Sequence, residues 1–151
     1  MKIFKVEKKI DAVKCELLNK QIKFFESKYD PNINFDANAK DFFDASAKNP
    51  DTVLFAVEVD NQIVAFLHGY VKNPYKQITK EKIAMINLLY VEKTHRNNKI
   101  ATNLIREFTS WAKTKSAKYL EVETLFENEI ANICYKNLNF EPMKITYRKD
   151  I

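Results

Sequence analysis

Residues 86–108, Ile-Asn-Leu-Leu-Tyr-Val-Glu-Lys-Thr-His-Arg-Asn-Asn-Lys-Ile-Ala-Thr-Asn-Leu-Ile-Arg-Glu-Phe, constrain this chain more than any other stretch. They open with an apolar run rich in β-formers, 86–91. They continue into Ile100, Ala101, Leu104, Ile105, Phe108, Trp111 and Ala112, which follow the 3.6-residue helical period. A buried strand therefore leads into a basic turn and then an amphipathic helix. A helix start leaves backbone N–H groups unpaired and carries the positive end of the macrodipole, so it attracts phosphate or pyrophosphate. Arg96 and Lys99 add formal positive charge at that turn.

The rest of the chain is read as one domain, 1–151, because no Pro/Gly/Ser-rich linker, low-complexity run or repeat divides it. The first residues are charged, and no apolar run approaches the ~20 residues that span a bilayer. A cytoplasmic location with no membrane partner is expected. Cys15 and Cys134 lack metal-ligand spacing, and His68 and His95 are too few and too far apart for a ligand set, so no metal is expected. The net charge of +5 invites a nucleic-acid reading. However, the basic residues are 22 Lys and only 3 Arg, and the lysines are scattered. Planar recognition of phosphates and bases favours Arg, so no nucleic-acid partner is expected.

In chain order, 2–6 reads as a strand and 11–29 as a helix with Val13, Leu17, Leu18, Ile22 and Phe25 inward. A second helix over 36–48, capped by Asp36, presents Phe42 and Phe43. Strands 52–59 and 62–71 form an antiparallel hairpin at Asp60-Asn61, with His68 and Tyr70 on one face of the second strand. A break at Asn73-Pro74-Tyr75 and a charged loop over 76–82 lead into the central strand. After the long helix come a strand at 119–124, a helix at 127–138 with Ile130, Ile133, Cys134 and Leu138 inward, and a last strand at 140–149. The strand, helix and strand between 86 and 124 require a right-handed crossover, hence one parallel pair in an otherwise antiparallel sheet.

Two blocks carry a family resemblance. Arg96-Asn97-Asn98-Lys99-Ile100-Ala101 resembles the pyrophosphate-wrapping pattern Gln/Arg-x-x-Gly-x-Gly/Ala of the GNAT superfamily of acyl-CoA-dependent N-acyltransferases, with Lys99 standing at the first glycine. Asn128, Ala131, Tyr135, Asn139 and Phe140 match the second block, Asn-x-x-Ala-x-x-x-Tyr-x-x-x-Gly-Phe, with Asn139 at the glycine. The resemblance implies the GNAT α/β (α+β) fold: a mixed, mostly antiparallel twisted sheet with a central splayed parallel pair, flanked by helices.

It also implies acetyl-CoA as cofactor. Its contacts would come from Leu89, Tyr90 and Val91 on the central strand, from Arg96, Asn97, Asn98, Lys99, Ile100, Ala101 and Thr102 at the turn, and from Asn128, Ala131 and Tyr135. Main-chain groups near Leu89 would polarise the thioester carbonyl. Phe42, Phe43, His68, Tyr70 and Asn87 are the candidate acceptor-site residues.

Residue chemistry points the same way. A phenol with a pKa near ~10 can protonate a departing thiolate whose conjugate acid lies near ~8.5, so Tyr135 suits a general acid. An alkylamine with a pKa near ~10.4 must lose a proton before it attacks, so a carboxylate is wanted. Which carboxylate is not set by this chemistry; the family resemblance implies Glu123, on the strand just before the second block's helix, as the first candidate base, with Glu121 and His68 in reserve. The expected activity is direct acetyl transfer to a primary amine of a small molecule or a peptide, by a monomer or homodimer. The alternative is a catalytically degenerate CoA-binding regulatory or scaffold module.

Overall fold

The computed structural model describes residues 1–33, 42–73 and 80–151. Strand β1 (Lys2–Lys5) is followed by helices α1 (Lys9–Glu26) and α2 (Phe42–Lys48). Strands β2 (Thr52–Val59), β3 (Gln62–Lys72) and β4 (Ile83–Val91) come next, then a 3-10 turn (Lys93–His95), α3 (Ile100–Thr114), β5 (Tyr119–Val122) and α4 (Glu129–Asn137). The expected Asp36 cap and the Pro74-Tyr75 break lie outside the described residues.

The five strands form one sheet in the order β1-β2-β3-β4-β5. Pairs β1/β2, β2/β3 and β3/β4 are antiparallel, whereas β4/β5 is parallel, as the crossover through α3 demands. The β2–β3 turn has positive φ at both Asp60 (48°) and Asn61 (63°), the geometry of a two-residue hairpin that follows the strand twist.

The two faces of the sheet are covered by different helices. On one face α3 lays Ile100, Leu104, Ile105, Phe108 and Ala112 over Val53, Val57, Ala65, Leu67, Ala84 and Ile86. On the other, Ala12 and Cys15 of α1 and Phe43 of α2 cover Leu54, Ala56 and Phe66. The sole glycine of the chain lies between these layers. A Cβ at Gly69 would fall inside the contact distance of the Phe108 ring and 2.7 Å from the Met85 carbonyl oxygen, so any side chain there would push α3 off the sheet.

His68, on the opposite face from its neighbour Gly69, is only 2% exposed. The Asn87 side-chain amide donates to its Nδ1 (3.2 Å), which leaves the proton on Nε2 to be donated to the Ser46 hydroxyl (3.1 Å). Phe42 and Phe43 stand edge-on to its ring, at 4.8 and 5.9 Å between centroids. Burial holds its pKa down to about 4 from the usual 6.5.

Three expectations are corrected. The stretch 140–149 joins no ladder with a described strand, and Met143, Ile145 and Tyr147 stand exposed. Consequently Ile130 and Ile133 of α4 are exposed, with no described residue returning over them. On α1 the small residues Ala12 and Cys15, with Asn19, lie against the body, since short side chains let the helix approach the sheet closely. That choice turns Val13 and Leu17 outward.

Gly69→Ala is expected to cost roughly 1–3 kcal/mol through overpacking against Phe108, lowering the melting temperature by several degrees. An unchanged unfolding curve would show that α3 is not held at this point. Between pH 6.5 and about 4 the unfolded chain binds a proton at His68 that the native state refuses, so stability should fall as pH drops through that window and level off below it. Denaturant titrations across pH check this. His68→Gln should start less stable at neutral pH yet lose most of the slope, and an equally steep loss in the variant would place the acid sensitivity elsewhere.

Candidate active site

The central strand is interrupted at Asn87. His68 pairs with Leu88 and Gly69 with Ile86, so Asn87 is the extra residue of a β-bulge in β4. On its other side, β4 pairs with β5 only from Ile83 to Ile86. From residue 87 to 91 that edge of β4 therefore has no partner strand among the described residues. The main-chain groups of Leu89, Tyr90 and Val91 along this stretch are held from one side only, by β3. The bulge thus sits at the point where two parallel strands part.

At the end of β4 the chain turns through 93–99 into α3. The Arg96 Nε donates to the Val91 carbonyl at 3.1 Å, which ties the turn back to the strand. Asn97 (φ 64°) and Lys99 (φ 59°) are both left-handed, so Lys99 adopts the backbone geometry that a glycine would adopt at lower cost, while Asn98 does not. These kinks turn the main chain inward on itself. Among the described residues, none of the backbone N–H groups of Asn97, Asn98, Lys99, Ile100, Ala101 and Thr102 has an acceptor; the first N–H engaged is that of Asn103, on the Lys99 carbonyl at 3.0 Å. Six consecutive open donors at the positive end of a 15-residue helix make an anion cradle. Ile100 is buried beneath the cradle and anchors it, while Thr102 is exposed at its rim.

Helix α4 is fixed at both ends by asparagine. The Asn128 side-chain oxygen accepts from the Ala131 N–H (3.2 Å) as an N-cap. Asn139 has φ 63°. Its N–H reaches the Lys136 carbonyl, and the Phe140 N–H reaches the Tyr135 carbonyl, each at 3.0 Å, which is a Schellman motif closed without glycine. Tyr135 lies between these ends, packed edge-on against Phe140 at 5.6 Å. Its hydroxyl makes no hydrogen bond among the described residues. Burial, then the neighbouring Cys134 and Glu26, push its pKa up to about 12.

The acidic groups differ in setting. Glu123 follows the last residue of β5 and is exposed, while Glu121 is half-buried and paired with Lys72 (3.4 Å). Glu26, which the sequence reading did not single out, ends α1; partial burial raises its pKa, and its charge is felt at Tyr135. Its only sequence signal was an acid at the C-terminus of a helix, where the dipole disfavours one. Of the acceptor-site candidates, Phe42 (39% exposed), Tyr70 and Asn87 remain accessible. Phe43 and His68 do not: both are sealed in the core, and the two ring nitrogens of His68 are already engaged. His68 is therefore a positioning residue for Asn87 and no longer a reserve base.

Comparison with known proteins fits this geometry. A model described as the acetyltransferase (GNAT) family matches residues 16–140. An aminoglycoside N(6')-acetyltransferase type 1 from Acinetobacter haemolyticus is 29% identical over 90 residues, covering 58% of this chain and 62% of that protein, so the match spans less than two thirds of the relative's length. A tetramutant of the BH1408 protein from Bacillus halodurans superposes with a TM-score of 0.88 at 19% identity over 100% of both chains. The aminoglycoside N-acetyltransferase AAC(6')-Iy, in complex with the bisubstrate analog CoA-S-monomethyl-acetylneamine, superposes with a TM-score of 0.78 at 20% identity, over 99% of this chain and 98% of that one. At such identities the superpositions speak to the fold alone, while the family model, running from within α1 to the residue that closes α4, shows that the chain belongs to the acetyltransferase (GNAT) family.

Proposed function

We propose that this protein is an acetyl-CoA-dependent N-acetyltransferase that acylates a primary amine of a small molecule by direct transfer in a ternary complex. The observation that carries the reading is the run of six open N–H donors from Asn97 to Thr102, beside the unpartnered edge of β4. A pyrophosphate matches that cradle in charge and in its demand for donors, and Arg96 and Lys99 add positive charge. The free edge of β4 from 87 to 91 suits an extended amide-bearing chain that adds like a strand. Acetyl-CoA, when bound, supplies an activated acetyl group and a thiolate leaving group.

The chain's own residues have the following roles. A main-chain N–H near Leu89 polarises the reacting carbonyl. Tyr135 donates its phenolic proton to the departing sulfur; with its pKa near 12 the phenol stays protonated over the whole working range. Glu123 accepts the ammonium proton of the acceptor, directly or through a water, and its exposure suits a group that must exchange that proton with solvent. Glu26, half-buried at the end of α1, places a second negative charge near Tyr135 and favours a cationic acceptor. A relative's name specifies an aminoglycoside N(6')-acetyltransferase, which supports a small-molecule amine over a peptide.

Acetyl-CoA is expected to raise the melting temperature, because a ligand that binds only the native state stabilises it by mass action; no shift at millimolar concentration would remove the reading. Tyr135→Phe should retain acetyl-CoA affinity while losing on the order of 10²-fold in turnover with an amine panel. Since the phenol does not ionise below about pH 12, the wild-type rate should rise with pH and plateau without a falling limb. Binding with no thiol release for any amine would leave a CoA-binding module. Lys99→Gly should raise the stability of the free protein by about 1 kcal/mol, through relief of the left-handed backbone. A stability loss would mean that the lysine side chain supports the turn.

A further inference from the structure

The bulge in β4 re-aims a side chain. Ile86 lies in the α3-side core, and Leu89 and Val91 pack against the same side, whereas Leu88 and Tyr90 pack against the cluster under α1 and α2. Strict alternation would put Ile86 and Leu89 on opposite faces of the sheet. The extra residue resolves the mismatch: Asn87 and Leu88 both turn to the α1 and α2 face, and the Asn87 amide thereby meets the His68 ring.

That ring is held from the other end. Ser46 Oγ of α2 lies 3.1 Å from His68 Nε2, and Phe42 and Phe43 stand edge-on to the imidazole. Ser46 is 7% and His68 2% exposed, so neither exchanges its partner for solvent. Burial keeps the imidazole neutral, which leaves Nδ1 as an acceptor, and the Asn87 amide nitrogen faces it at 3.2 Å. Turning the amide over would set its oxygen against the Nδ1 lone pair, acceptor facing acceptor, and lose a hydrogen bond. The oxygen is therefore fixed outward. Asn87 is exposed, and no described residue donates to its Oδ1.

We infer that Ser46, His68 and Asn87 form a relay that presents Asn87 Oδ1, at the start of the free edge of β4, as the hydrogen-bond acceptor for the attacking amine. The inference rests on the acetyl-transfer reading above. Asn87 makes the contact, and Ser46 and His68 are positioning residues. An immobile, uncharged oxygen suits the step that must occur there. It takes an N–H from the ammonium and equally from the amine that remains after proton loss. A carboxylate in its place would favour the charged form, raise the pKa of the amine and oppose the deprotonation that attack requires. Asn87 thus holds the nucleophile while Glu123 takes its proton. The same oxygen repels groups that offer only lone pairs, so amines without a neighbouring carboxylate are the preferred class.

The first test needs no substrate. Heteronuclear NMR of the labelled full chain should show the His68 proton on Nε2 and none on Nδ1; a proton on Nδ1 would mean that the amide nitrogen faces outward and would overturn the inference. The second test is steady-state kinetics with acetyl-CoA and a panel of primary amines. A contact made equally before and after proton loss affects KM and leaves kcat nearly unchanged, so Asn87→Ala and Ser46→Ala should each raise the amine KM about tenfold with the acetyl-CoA KM unmoved. Ser46→Thr, which keeps the hydroxyl, should restore it. Asn87→Asp should bind the ammonium more tightly yet shift the rising limb of the rate to higher pH. An amine KM indifferent to Asn87→Ala, or a rising limb that stays in place in Asn87→Asp, would overturn the contact and leave acetyl transfer standing. A KM that responds at residue 87 and not at 46 would overturn the relay. Release of no thiol with any amine would remove the acetyl-transfer reading, and the contact with it.

Discussion

The architecture rests on the contact between Phe108 and the backbone at Gly69. Helix α3 must lie close enough to the sheet for its start to project the anion cradle beside the end of β4, and a ring placed directly on a glycine is what permits that distance. The bulge at Asn87 lies across from the same point, between the partners of His68 and Gly69. Close approach on one face and an extra residue in the neighbouring strand therefore occur together. The bulge lies where the pairing of β4 with β5 ends, and the edge of β4 beyond it has no partner strand among the described residues. On the other face, His68 holds the Asn87 side chain through its Nδ1, so the bulge is supported from beneath by a buried and fully satisfied polar group.

A chain with a single glycine must make its left-handed turns from other residues. Among the described residues Asp60, Asn61, Asn97, Lys99, Ser116 and Asn139 do so. Asn and Asp tolerate that region because their short polar side chains bond locally; Lys99 and Ser116 have less to offset the strain. Ser116 closes α3 as Asn139 closes α4, with the Ala117 N–H on the Ala112 carbonyl at 3.1 Å. Lys99 differs because it begins a helix instead of ending one. Strain there coincides with unpaired donors and positive charge, the combination expected where backbone is reserved for an anion.

The two halves of the chain differ in completeness. From β1 to α3 nearly every large apolar side chain on the sheet has a cover, and two layers of helix account for it. Beyond β5 the side chains of α4 and the residues after it are half-buried at most. Tyr135 nonetheless lies in this less enclosed half, packed against Phe140 and the α3-side core. The chemistry assigned to it therefore depends on how firmly α4 is held.

Periodicity determined the strand and helix at 86–108, the turn dipeptide Asp60-Asn61 the hairpin, and the crossover rule the parallel pair, because each of these is set by short stretches and their local backbone preferences. The basic turn was legible because it stands at a helix start, whereas Tyr135 was singled out through the resemblance of its block to the family pattern. Tertiary structure alone decided which side of α1 packs, since Ala12 and Cys15 beat larger apolar residues by allowing closer approach. It also decided that His68 and Phe43 are sealed inside, that Glu26 sits near Tyr135, and that the alternating pattern of 143–147 joins no ladder with a described strand. Burial and strand pairing depend on segments far apart in the chain, and a pattern of side chains specifies which face wants cover without specifying what supplies it.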